Sequence, residues 1–252
     1  VLSRSFKKML DRIDALGNEN YTSQLQIQDL KLKAKDSEIH ALQSQINPHF
    51  LFNCLKSIKS NVQKGRNEET ADIIVSFSRM IRKSCDWRSD MVPLQNEIEL
   101  IEDYLKIQKF RHRGKLDYRV SIDPRSLPVK IPKFTLEPLV ENAVYHGIEP
   151  NKSGGFVDVY GRAVNDALEI IIRDSGIGIG AETLAGLRRS LQSRQDFTSQ
   201  DHIGMLNVQQ RLKSAYGEEY GISIESRVGE GTAVTVTLPL PEALPEDGPS
   251  AT

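Results

Sequence analysis

No stretch of this 252-residue chain approaches the roughly 20 consecutive apolar residues that a bilayer-spanning helix needs, and no signal peptide opens it. The chain as given therefore reads as soluble. Cysteine is scarce: Cys54 and Cys85 lie far apart in helical patterns and match no metal-ligand spacing. They suit a reducing compartment and read as small buried apolar residues. An excess of positive charge is missing too. The formal net charge is -1, with no basic domain or arm, so the electrostatic footprint of nucleic-acid binding is absent and no nucleic-acid partner is expected. No internal repeat is visible. What remains, 38% hydrophobic and 27% charged residues over this length, suffices for two domains, each with its own core.

Phe6, Met9, Ile13 and Leu16 recur at helical spacing, and beyond Gly17 and Asn18 the residues Leu25, Leu32, Ile39 and Ile46 repeat every seven. Such a seam predicts a coiled coil, and hence a homodimer, although its companion positions Gln28 and Lys35 are polar. The pattern runs on through Leu51, Leu55 and Ile58, and Gly65 is placed to end the helix. Further helices are predicted by Ile74, Phe77 and Ile81, and by Leu94, Ile98, Ile101 and Leu105. The cations Lys106, Lys109, Arg111, Arg113 and Lys115 at the end of the latter are what a helix C-terminus favours. From Leu116 the period changes to two. Strands are predicted at 118–122, 156–160, 168–172, 222–224 and 233–237, interleaved with helices at 134–146, 181–193 and 205–216. The expected architecture is thus α+β, a helical region followed by a layered α/β domain that starts near Gly114. Residues 241–252, rich in Pro, Glu and Gly, read as a flexible tail.

Within the helical region, Gln45-Ile46-Asn47-Pro48-His49-Phe50-Leu51-Phe52-Asn53 sets a histidine directly after a proline. A proline inside a helix removes one donor and crowds the carbonyl four residues back, at Ser44, so the rod should bend where the imidazole emerges. Gln45 and Asn53, four residues to either side, could each hold one ring nitrogen and leave the other free. The plainer reading of a lone histidine is a satisfied structural residue.

Four segments of the second half share a chemistry. In Glu141-Asn142-Ala143-Val144-Tyr145-His146-Gly147 an asparagine carbonyl could complete the coordination of a magnesium ion carried in by phosphates. Asp174-Ser175-Gly176-Ile177-Gly178 follows a strand, where a buried aspartate can accept from an adenine amino group while glycines allow close backbone approach. Ile203-Gly204-Met205-Leu206-Asn207 opens a helix whose free amides suit an anionic phosphate. Gly229-Glu230-Gly231-Thr232 precedes the last strand, and the Thr232 hydroxyl could share the adenine contact. Singly, each has an ordinary alternative: a turn, a solvated helix face, a loop.

In this order and spacing the segments resemble the N box, the two glycine boxes and the terminal Gly-x-Gly-Thr of the superfamily that holds DNA gyrase, the ninety-kilodalton heat-shock chaperone and sensor histidine kinases. The Gln-Ile-Asn-Pro-His-Phe-Leu-Phe-Asn run is similar to that of the LytS/YesM-type histidine kinases, and Pro138–Ala143 and Asn207–Leu212 extend the likeness over nearly the whole chain. Ser5–Met9 resembles the end of a HAMP linker. The resemblance implies the cytoplasmic portion of a bacterial inner-membrane sensor, reaching the membrane only through an N-terminal portion absent from this chain. Its parts would be the end of a HAMP-like linker (1–16), a coiled-coil signalling helix (17–45), dimerisation and histidine phosphotransfer helices (46–113), and a two-layer α/β sandwich ATP-binding domain of the GHKL or Bergerat type (114–240). ATP and Mg2+ are the implied cofactors, and a response regulator is the implied partner. His49 would be the phosphoacceptor, with Asn53 orienting it and Glu141 as base. Asn142 would hold the metal and nucleotide; His146, Asp174, Gly176, Gly178, Gly204 and Thr232 would complete the nucleotide site.

The chain departs from the wider superfamily in two places. Phe50 stands where many histidine kinases have an acid, and Tyr145 stands where the N box often has lysine, which leaves His146 or Lys152 to meet a phosphate. Residues 179–203 would form a lid. Two rivals are an ATPase conformational clamp and a signalling scaffold without turnover. The clamp needs a carboxylate four residues before Asn142, where Pro138 stands; intact Asn142, Asp174 and Gly178 speak against the scaffold.

Overall fold

The computed structural model describes residues 48–84, 89–192 and 203–240. The expected linker, coiled-coil seam, Cys85, the stretch 193–202 and the tail lie outside them, as do the residues that would show a bend before Pro48. The chain divides into two compact units, Val1–Asn53 and Cys54–Thr252. Of the first, residues 48–53 are described, as the opening turns of helix α1 (Pro48–Val62).

In the second unit α1 ends before a turn at Gly65, whose φ of 73° suits glycine. Helix α2 (Asn67–Ser84) carries Glu68 and Glu69 in its first turn and Arg82 and Lys83 in its last, the polarity the helix dipole favours. Strand β1 (Met91–Pro93) leads directly into α3 (Leu94–Arg111). α3 is buried on almost every side, through Leu94, Ile98, Leu100, Ile101, Leu105 and Ile107, as a helix must be that has neighbours all round. α2 lies against it and is fastened by ion pairs. Arg79 reaches Asp103 with two nitrogens, at 2.6 and 3.1 Å, and Lys83 Nζ stands 2.5 Å from Glu99.

The remainder is a two-layer α/β domain. Its five-stranded sheet has the order β2-β4-β5-β7-β6, from β2 (Leu116–Ser121), β4 (Gly155–Val164), β5 (Ala167–Asp174), β6 (Gly221–Arg227) and β7 (Gly231–Pro239). The β2–β4 pair is parallel and the others antiparallel. Alternation places Val157, Val159, Leu168, Ile170, Ile172, Val234, Val236, Ile222 and Ile224 in the core. Helices α4 (Glu137–Asn142), α5 (Ala181–Gln192) and α6 (Ile203–Tyr216) supply Leu139, Val140, Leu184, Leu187, Val208 and Leu212 to the same core. Two short strands, β1 and β3 (Lys130–Pro132), pair separately. They had no period-two signal, being three residues each.

The expected helix at 134–146 is a different object. α4 stops at Asn142 and Ala143–Ile148 continues as a π-helix, with Glu149 N–H donating to Val144 O at 2.9 Å. Buried residues here come in pairs four apart: Leu139 and Val140, Ala143 and Val144, Gly147 and Ile148. In a straight α-helix two steps of four overshoot two turns by about 80°, which would carry the last pair off the core. The wider turn keeps all three pairs inward.

Candidate nucleotide site

β5 runs two residues past its expected end and delivers Asp174 as its last member, 4% exposed. Asp174 Oδ1 accepts from the Gly176 amide at 2.8 Å. Burial pushes the carboxyl up to about 6, against the pull of the Gly176 and Thr232 amides. Backbone closes in on three sides. A methyl group at Gly147 would stand 2.7 Å from Asp174 Oδ1; one at Gly176 would meet Gly147 carbonyl carbon at 2.3 Å; one at Gly231 would meet Asp174 O at 2.0 Å. The Ile177 amide donates to Gly147 O at 3.1 Å and ties the strand end to the π-helix. Gly178, at φ 69°, backs onto Arg227 O, where any side chain would collide.

Thr232 sits directly opposite Asp174 across β5 and β7. Its hydroxyl is 2.9 Å from Ser226 Oγ, which also donates to Gly231 O and accepts from the Ile179 amide. Ser226 therefore joins the turn after Asp174 to the start of β7. Asn142 and Glu141, both half-buried, stand at the junction of α4 with the π-helix, and His146 lies one turn further, its ring edge-on to the exposed Tyr145 at 4.9 Å. Gly204, exposed in the first turn of α6, faces Pro138, a methyl group there lying 3.5 Å from the proline Cβ.

Both ends of the segment carrying Asn142 are gripped by α3. Buried Glu97 accepts the amides of Phe134, Thr135 and Leu136 at 2.8, 2.9 and 3.0 Å, just ahead of α4. Burial raises its carboxyl, while the three amides and the charge of Arg211 oppose the rise. Three donors converging on its two oxygens suit the ionised, acceptor-only carboxylate best. Glu137, next in the chain, is pushed up to about 8 by burial and by Glu97 and Glu141. At the other end Arg111 pairs with Glu149, and His112 Nε2 is 3.4 Å from the same oxygen. Burial, with Arg111 and Lys115, drives His112 down to about 4, so it is neutral at physiological pH.

The structure thus sets Asp174 and Gly176, at and just after the end of β5, against Gly147 of the π-helix, with Gly178 two residues further on and Thr232 opposite Asp174 at the start of β7; Asn142 ends α4, His146 lies on the π-helix, and Gly204 runs beside Pro138 of α4. His49 and Asn53 occupy positions one turn apart on the same face of α1, in the first unit. Sequence reasoning left Gly147, Gly231, Glu97 and Arg211 without roles. The first two were in quoted motifs, and a buried-facing glycine on a helix is itself a signal of close approach. Glu97 gave none and Arg211 gave only its place in the Asn207–Leu212 run, because each acts on a backbone segment remote in sequence. Among the described residues no group of three or more His, Cys, Asp or Glu side chains could hold a metal.

The chain is similar to known proteins along most of its length. Residues 37–116 match the histidine kinase family model, and residues 132–242 match the model of histidine kinase-, DNA gyrase B- and HSP90-like ATPases. Sensor histidine kinase YesM of Bacillus subtilis is 31% identical over 239 residues, 95% of this chain and 38% of that protein. Sensor histidine kinase BtsS of Escherichia coli is 33% identical over 209 residues, covering 83% of this chain and 34% of BtsS. Sensor protein LytS of Bacillus anthracis is 30% identical over 227 residues, 87% and 37% of the two chains. The chain spans little more than a third of the length of these relatives. It belongs to the sensor histidine kinase family.

Proposed function

We propose that this chain is the ATP-dependent autokinase portion of a two-component receptor, moving the γ-phosphoryl group of ATP to His49 and on to an aspartate of a response regulator. The observation that supports this best is the glycine-walled Asp174, a buried carboxyl at a strand end whose remaining acceptor capacity can meet an exocyclic amine. Asn142 fits a metal that arrives with phosphates. Mg2+ keeps few protein ligands beside the phosphates that carry it, so a single carbonyl suffices. When bound, the ion would neutralise charge developing on the phosphates.

In this reading Asp174 fixes the adenine, Gly176, Gly178 and Thr232 shape its pocket, and the opening amides of α6 at Gly204 face phosphate, with His146 on the N-box side. His49 attacks phosphorus with a neutral ring nitrogen. The N–P bond forms, the bond from the γ-phosphorus to the bridging oxygen breaks, ADP leaves, and the second ring nitrogen gives up its proton. Asn53 would hold that second nitrogen, and Glu141 would take the proton. Positioning supplies most of the rate.

We assign residues 46–113 to dimerisation and phosphotransfer and 114–240 to ATP binding. A homodimer is supported by the exposed Leu55 and Val62 on α1 and Ile74 and Val75 on α2, 45–55% accessible, a density of apolar surface that calls for a partner helix. No helix among the described residues is long and apolar enough to cross a membrane. The receptor's HAMP linker and membrane part would precede the portion described. Incubation with γ-labelled ATP should give acid-labile label on the wild type and none on His49→Gln, with nucleotide binding retained. Label persisting on His49→Gln would overturn the assignment.

A further inference from the structure

Loop 133–136 has almost none of its polar backbone satisfied by ordinary secondary structure. From one side Glu97 of α3 takes three consecutive amides, of Phe134, Thr135 and Leu136. From the other, Arg211 of α6 donates Nη1 to Lys133 O at 2.7 Å and Nη2 to Phe134 O at 2.6 Å. Phe134 is held at φ 58°, a conformation that bulky residues rarely adopt. Two long side chains of opposite charge thus dictate the path of a short loop, and that loop is the root of α4. α4 has no side-chain cap of its own from Leu136; Glu97 takes the amide of that N-cap residue and of the two before it, which sets a carboxyl group just ahead of the helix. Asn142 is the last residue of this helix, five positions on from Glu137. A rigid helix transmits any displacement of its root to its end.

Arg211 lies seven residues after Gly204, two turns along the same face of α6. The first turn of α6 passes Pro138 of α4, a methyl group at Gly204 lying 3.5 Å from the proline Cβ, while Arg211 holds the loop before it. Helix α6 is therefore fastened to the root of α4 through Arg211 and runs beside its first turn at Gly204. We infer that Glu97 and Arg211 are positioning residues for phosphoryl transfer: together they hold loop 133–136 so that Asn142 meets the metal-nucleotide, and they join α6 to that placement. Neither touches the nucleotide. The inference rests on the reading of Asn142 as the metal-side ligand.

The test separates metal-dependent from metal-independent nucleotide binding. Titration calorimetry of the whole chain with a non-hydrolysable ATP analogue, with and without Mg2+, yields the gain in affinity that Mg2+ brings. Glu97→Gln keeps size but turns a donor toward the Phe134 amide. It should lose most of the Mg2+ gain, tenfold or more, while Mg2+-free binding, governed by Asp174, stays within about twofold. Arg211→Lys, which keeps the charge but loses the two-pronged grip, should behave alike, and the double variant should lose little beyond either single one. Arg211→Lys also carries the test if Glu97→Gln does not fold. Asn142→Ala is the control. If it retains the Mg2+ gain, the reading of Asn142 fails; if it loses the gain while a folded Glu97→Gln or Arg211→Lys keeps it, the clamp inference fails. Equal losses with and without Mg2+, tracking a fall in melting temperature, would reduce both residues to fold stability and overturn the inference as well.

Discussion

Replacing Gly147 by alanine adds one methyl group at the tightest point of the site. That carbon would lie 2.7 Å from Asp174 Oδ1 and 2.9 Å from its Cγ, well inside the roughly 3.5–4.0 Å at which carbon atoms rest against neighbours. Gly147 cannot retreat freely, because its carbonyl accepts the Ile177 amide and its segment is held by the Glu149–Arg111 pair. The carboxylate must turn instead. Overpacking of this kind costs about 1–3 kcal/mol. If the cost falls on the orientation of Asp174, it appears as about a 5- to 150-fold rise in Kd for a non-hydrolysable ATP analogue. Gly180→Ala is the matched control, since a methyl group there meets nothing within 4 Å. Calorimetric titration of both variants, with melting curves to confirm folding, decides the matter. A folded Gly147→Ala that binds within twofold of wild type, or an equal loss in Gly180→Ala, would refute the claim that Gly147 sets the carboxylate.

Other outcomes follow from the same geometry. Asp174, raised from 3.8 to about 6, contributes stability below pH 3.8 that is lost as pH rises through 6. Adenine binding runs the other way, because the ionised carboxylate is the stronger acceptor. Nucleotide affinity should therefore weaken as pH falls through 6, and Asp174→Asn should bind about 5- to 150-fold more weakly, from a cost of about 1–3 kcal/mol, and lose that pH dependence; equal pH profiles for the two would contradict the role. Buried Gln209 donates to Leu191 O at 3.1 Å and accepts from the Ile222 amide at 2.6 Å, so Gln209→Ala should lower stability by about 1–3 kcal/mol in chemical denaturation. Unchanged stability would mean that water replaces both bonds.

The period-two runs after Leu116 placed all five strands of the main sheet, because a half-buried strand writes its burial into alternate residues. The apolar stripes of α2 and α3 were open too, although α3 turns out to be buried on more than the striped face, and helices were expected where α5 and α6 lie. Asp174 was legible for a related reason: an acid between a buried strand and two glycines is costly to desolvate unless something polar meets it there. The hidden parts depend on contacts between distant segments. Glu97 looks like any surface glutamate on an amphipathic helix until the amides of 134–136 are laid against it. The parallel pairing of β2 with β4 carries no local mark either. The π-helix left a faint one, its apolar pairs four residues apart, which short helices hide because α and π registers diverge only after two turns.

That wide turn has a bearing on how the protein can change length. A π-helix holds one residue more per turn than the α-helix beside it, so deleting any single residue between Ala143 and His146 would let the segment relax into ordinary helix, an easy repair for the backbone. The repair would leave the residues that follow close to the face they now occupy, because the residue removed is the one that the wide turn accommodates. A further residue inserted there has no such turn to absorb it, and each one added to ordinary helix turns the downstream face, and Gly147 with it, by about 100°.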